Sequence, residues 1–159
     1  MLSNPGHLKS KVSTYTWHWQ GQTINIVSET SGSGPSVLML PAFSTVSTRA
    51  ELAALAKQLT PHFQITTLDW PGFGESDRPR LDYHPNFYRQ FLQAFVKETF
   101  PQDVAVIAAG HAAGYALAIQ SWSRMVLVAP TWRGPLAAMG APESIRSGAV
   151  SYTHLTLPT

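Results

Sequence analysis

Val104-Ala-Val-Ile-Ala-Ala-Gly110-His111-Ala112-Ala113-Gly114 decides how this chain is read. Val104 to Ala109 carries no polar side chain, which predicts a short strand buried on both faces, as in a parallel sheet. Gly110 then offers a tight turn, and Ala112 to Trp122 is alanine-rich and expected to be helical. Outward from this unit the same alternation repeats. On the N-terminal side, Phe87, Phe91, Phe95 and Val96 form the inward stripe of a helix, preceded by a Pro- and Gly-rich loop that reaches Pro85. Phe63 to Leu68 is the strand before that loop. Thr48 with Glu51 predicts a capping box, and Leu52, Leu55, Ala56 and Leu59 form one helical stripe behind it. Ser36 to Leu40 is another apolar strand, followed by the loop Pro41 to Ser47. Thr14 to Trp19 and Thr23 to Thr30, joined through Gln20-Gly21-Gln22, predict an antiparallel hairpin at the entry. On the C-terminal side, Met125 to Ala129 is a further strand. The alternation predicts an α/β fold: a mostly parallel, doubly wound sheet with helices on both faces.

Composition narrows the function classes. The chain has 159 residues, 44% hydrophobic and 13% charged, with a formal net charge of +2. One domain with one core is expected at this length. Eleven basic residues are scattered against nine acidic ones, which gives no nucleic-acid face. No apolar run is long enough to span a membrane. Cysteine is absent, which removes disulfides and thiolate chemistry, and the histidines lack paired ligand spacing, so neither a metal nor another cofactor is expected. The polar N-terminus lacks the apolar stretch of a signal peptide, and the expected compartment is the cytoplasm. Nothing in the sequence fixes an oligomeric state.

Two motifs carry a family resemblance. Asp69-Trp70-Pro71-Gly72-Phe73-Gly74-Glu75-Ser76 resembles the D-x-x-G-x-G-x-S loop that follows a central strand in α/β-hydrolases. Gly110-His111-Ala112-Ala113-Gly114 resembles their G-x-S-x-G nucleophile elbow, in the expected order and between the expected strand and helix. Together with Ala129-Pro130-Thr131-Trp132-Arg133-Gly134-Pro135-Leu136, these stretches are similar to a cyanobacterial and plastid α/β-hydrolase-like subgroup that carries alanine at the elbow. The resemblance implies that Ala112 stands at the nucleophile position, on a strained turn whose flanking glycines, Gly110 and Gly114, avoid collision with neighbouring backbone. It also places Pro41-Ala42-Phe43-Ser44 where many members carry His-Gly-x, so that the backbone N–H groups of Phe43 and Ala113 would form the oxyanion hole. The triad's acid and histidine would lie beyond Ala149. By the same resemblance, residues 14–133 are the N-terminal part of the hydrolase domain after a flexible stretch over 1–13. Residues 134–149 begin a cap or loop insertion. Val150 to Thr159 resembles translated sequencing-adapter read-through and is expected to be non-native, which would make the chain a C-terminally truncated copy.

Ala112 has no atom to donate, so ordinary serine hydrolysis is not expected; loss of a triad nucleophile costs roughly six orders of magnitude in turnover. The same alanine would also result from engineering or sequencing error. His111 is the one titratable group of the elbow, either an acid–base residue or a packing neighbour. Asp69 and Asp77 are read as anchors of backbone N–H groups, with a direct part in chemistry as the alternative, and Ser44, Ser47 and Thr48 as polar neighbours of the oxyanion loop that can be weighed as substitute nucleophiles. Trp70, Phe73, Tyr115 and Trp132 either line a small-molecule pocket or pack the core. The function expected is binding of a small apolar or ester-like molecule without acyl-enzyme chemistry. The alternative is an enzyme of the same fold, a hydrolase, lyase or cofactor-free oxygenase, using a downstream His/Asp pair.

Overall fold

The structure, a computed structural model, describes residues 10–44 and 46–130. Six strands, β1 (Lys11–Trp19), β2 (Gln22–Ser31), β3 (Ser36–Leu40), β4 (Gln64–Leu68), β5 (Val104–Ala109) and β6 (Trp122–Val128), form one sheet in the order β1-β2-β4-β3-β5-β6. The first two pairings, β1 with β2 and β2 with β4, are antiparallel, and β4, β3, β5 and β6 run parallel. The short apolar runs of β3, β4 and β5 are nearly continuously buried, as strands covered on both faces must be. Side-chain parity sorts their residues. Val37, Met39, Ile65 and Ile107 pack beneath Leu52, Ala56 and Leu59, which come from a 3-10 turn (Arg49–Leu52) and the helix α1 (Ala53–Leu59). Leu38, Leu40, Val104, Val106 and Ala108 face the larger core under α2 (Pro85–Thr99) and α3 (Ala112–Leu117). Helices thus lie on both faces of a mostly parallel sheet. Because β4 and β5 lie on opposite sides of β3, the sheet changes winding direction between β3 and β5. At such a switch point the loops after the two strands diverge and leave a crevice.

Several boundaries differ from the sequence expectation. Strand β1 begins at Lys11, inside the stretch expected to be flexible, because Lys11 to Ser13 pair with Ser28 to Thr30. The hairpin loop is Gln20-Gly21 alone, since Gln22 pairs with Trp19. Leu55 is exposed; Leu52, Ala56 and Leu59 make the seam without it. The box at Thr48 is half formed. Thr48 accepts from the Ala50 N–H at 3.3 Å, whereas the Glu51 carboxylate accepts from the Ala42 N–H at 3.0 Å. Helix α3 stops at Leu117 instead of running to Trp122, because the Ala116 carbonyl accepts from the Ile119 N–H and the Trp122 indole, and Trp122 enters β6 opposite Val104. That strand ends at Val128, since Ala129 takes a left-handed φ of 44°. The expected cap or insertion over 134–149 and the tail over 150–159 lie outside the described residues.

Gln20 and Gly21 both have positive φ, 46° and 79°, the pattern of a type I′ hairpin turn. Glutamine is a poor choice for its first position, where asparagine is favoured. Gln20→Asn should raise stability by about 0.5 kcal/mol, read as a higher urea midpoint with an unchanged slope.

Candidate functional site

The crevice at the switch point is bounded by the loop after β3 and the turn after β5. Gly110 makes that turn with φ +54°, and a Cβ there would meet the Ala42 methyl at 3.1 Å. The two loops are therefore in contact. Here the expectation is corrected: the left-handed residue is Gly110, which adopts that conformation without steric cost, and Ala112 is the first residue of α3 rather than the strained one. The crowding neighbour of Gly110 is also a side chain, not backbone. His111, with φ −67° and ψ −24°, leads into the helix. The Ala113 N–H closes the turn onto the Gly110 carbonyl at 3.2 Å, and the Gly114 N–H onto the His111 carbonyl at 3.1 Å. Ala112 and Ala113 are fully buried.

Over this turn the chain gathers aromatic rings. Phe43 lies 4.5 Å from Trp70, 5.4 Å from Phe73 and 5.2 Å from Tyr115, centroid to centroid. Three of the four pocket candidates thus converge on Phe43, and Trp132 lies outside the described residues. Tyr88, which the sequence reading missed, completes the cluster at 4.7 Å from Phe43 and 5.7 Å from Tyr115. Its burial, together with that of Leu92, makes the inward stripe of α2 wider than the residues first assigned to it. Burial pushes the hydroxyl pKa values of both tyrosines well up, and each stays protonated at neutral pH. The rings also hold the loops: the Trp70 indole donates to the Pro41 carbonyl at 2.8 Å, and the Tyr88 hydroxyl to the Pro71 carbonyl at 3.3 Å.

The loop after β4 is fixed by carboxylates. Asp69 is fully buried and accepts from the Arg49 N–H at 2.6 Å, from the Arg49 guanidinium and from the Glu75 N–H at 3.1 Å. Arg49 also pairs with Glu75 and, at 3.4 Å, with Glu29. Asp77 accepts from the Asn25 N–H at 2.7 Å. Both aspartates anchor backbone, as read from the sequence. Arg49 was not foreseen, since its partners lie far away in the chain. Ser44 accepts from the Val46 N–H at 3.3 Å, and with Thr48 engaged as a cap, both hydroxyls serve the loop's own turns. Among the described residues no group of three or more His, Asp or Glu could hold a metal, and no helix is long and apolar enough to cross a membrane.

Burial lowers the His111 pKa below its ordinary value of 6.5, so the folded state takes up this proton later than the unfolded chain does. The stability that His111 contributes is therefore complete above the ordinary value and is lost as pH falls from there toward the lowered one. The urea midpoint should drop more between pH 7.5 and pH 5.5 for the parent chain than for His111→Gln; equal drops would contradict a buried neutral imidazole.

The chain superposes on a probable hydrolytic enzyme from Pseudomonas aeruginosa PAO1 with a TM-score of 0.69 and 20% identity, covering 83% of this chain and 45% of that one. A serine hydrolase involved in carbazole degradation gives 0.67 and 16%, over 80% and 51% of the two chains. A serine-to-alanine variant of N-formylmaleamic acid deformylase from Pseudomonas putida S16 gives 0.64 and 24%, over 77% and 48%. The chain spans about half the length of these solved structures, and at such identities the likeness is one of fold. No curated protein sequence matches it. Residues 37–158 match the sequence profile of the alpha/beta hydrolase family, and with the sheet order and the turn after β5 this establishes that the chain belongs to that family.

Proposed function

We infer that this chain is a hydrolase-like binding module whose nucleophile position is vacant, taking a small apolar or ester-like molecule without forming an acyl-enzyme. One observation carries the reading: the residue at the head of α3, in the crevice between β3 and β5, is Ala112, whose methyl group is fully buried. Acyl transfer on this fold requires an oxygen there, activated by a base. Phe43, Trp70, Tyr88 and Tyr115 are buried against one another and only Phe73 is partly exposed, so a ligand would enter beside Phe73 and exchange ring contacts that the cluster now makes with itself. The N–H groups of Phe43 and Ala113 are the donors assigned to a ligand carbonyl. Engagement of Ala113 by a ligand would exchange its bond to the Gly110 carbonyl, so the affinity is expected to be modest. The whole protein's ligand would sit at the carboxyl ends of β3 and β5, where open α/β sheets place theirs.

The test uses methyl 4-phenylbutyrate and its amide, 4-phenylbutyramide. Saturable binding of the amide, followed by tryptophan fluorescence, together with an intact ester and no burst of methanol, is the expected result. A stoichiometric burst would overturn the reading in favour of an acyl-enzyme.

A further inference from the structure

Glu51 belongs by sequence to a helix cap, yet its carboxylate leaves Thr48 and accepts the Ala42 N–H at 3.0 Å. Ala42 is the residue immediately before Phe43 and the one whose methyl group meets Gly110. We propose that Glu51 is a specificity-determining residue of this crevice, which sets a fixed negative charge behind the oxyanion loop and selects neutral carbonyl ligands, amides, esters and ketones, over free carboxylates and phosphates.

The inference rests on the binding reading above and names its ligand class. A backbone N–H bound to a carboxylate forms a charge-assisted bond, so Ala42 is committed and cannot join Phe43 as an anion donor. The carboxylate is anchored one residue from the Phe43 N–H, which places its charge roughly 10 Å or less from a ligand oxygen held there, by chain geometry and bond lengths. At that distance and an effective dielectric of about 20 to 40, repulsion disfavours a unit negative charge about four- to fifteen-fold. The opposite end of the same loop is held in the same way, by the buried Asp69 on the Arg49 N–H. There the Arg49 guanidinium answers the carboxylate. Among the described residues no cation forms an ion pair with Glu51, which is itself exposed, so solvent and salt are what screen its field there.

The experiment compares 4-phenylbutyramide with 4-phenylbutyrate, one skeleton in neutral and anionic form, by ligand-observed NMR titration at low ionic strength. The parent chain should bind the amide at least fourfold tighter. Glu51→Gln keeps an acceptor for the Ala42 N–H and removes the charge, so it should weaken that preference about four- to fifteen-fold. Salt at 0.5 M should erode the parent's preference in the same direction, since screening acts within about a Debye length. Glu98→Gln, on the far side of the fold where Glu98 meets Tyr15, should leave the preference unchanged. A preference unaltered by Glu51→Gln in a chain that binds the amide overturns the role of Glu51 alone. A parent chain that binds neither molecule overturns the binding reading itself, and this inference with it.

Discussion

Gly74→Ala should abolish cooperative folding or cost about 3 to 5 kcal/mol, a large share of the roughly 5 to 15 kcal/mol that holds a domain together. A Cβ on Gly74 would lie 2.3 Å from the Asp69 Cγ and 2.5 and 2.6 Å from its two oxygens. Asp69 cannot step aside. It is fully buried and bound to two backbone N–H groups and the Arg49 guanidinium, so any shift strands a buried charge together with its donors. The φ of +52° at Gly74 adds backbone strain for any other residue. Gly21→Ala is the control. Its φ is +79° but a Cβ there meets nothing within 4 Å, so it should cost only the conformational strain of about 1 to 2 kcal/mol. Urea unfolding of the two variants separates collision from strain; equal, small losses would show that Asp69 is free to move.

The contrast between Gly74 and Gly21 also marks what the sequence could tell. Both glycines were legible as turn residues, from the D-x-x-G-x-G-x-S loop and from a hairpin linker. That one is backed by a buried ion pair and the other by solvent was not legible, since Arg49 reaches Asp69 and Glu29 across the sheet. Strands β3, β4 and β5 were legible because a run of apolar side chains can be satisfied only by cover on both faces. The end of α3 was not: Ala118 and Ile119 suit a helix, and what stops it is an indole bond to the Ala116 carbonyl. Glu51 was misassigned for a related reason. A carboxylate three residues after threonine fits a capping box, but the Ala42 N–H, leaving β3 with no strand partner, competed for it and won. Trp70, Phe73 and Tyr115 were grouped from the sequence, with Trp132 and without the Phe43 ring on which they converge, and Tyr88 would have joined them had the stripe of α2 been widened to include the Tyr88–Leu92 spacing.

Ala112→Ser should restore an oxygen without restoring chemistry, and both the variant and the parent chain should be unreactive toward a fluorophosphonate probe. The substitution is small. Serine costs about 0.5 kcal/mol against alanine in a helix, and a buried hydroxyl left without a partner costs about 1 to 3 kcal/mol more, so a folded variant is expected. Reactivity is another matter, because a serine without its base loses close to the roughly six orders of magnitude that the whole triad supplies. The imidazole nearest in sequence is His111, which burial keeps neutral and therefore able to accept a proton. Its direction is wrong. His111 already has helical φ and ψ, and adjacent residues of a helix point about 100° apart around the axis, so its side chain and a hydroxyl at position 112 do not leave the helix on the same face. A hydroxyl so placed, beside a base aimed elsewhere, has the nucleophilicity of ordinary serine. Labelling of Ala112→Ser that vanishes again in the His111→Gln double variant would show that the imidazole does swing onto the hydroxyl. The chain would then be a hydrolase scaffold lacking only its nucleophile, and the enzyme reading would displace that of a binding module.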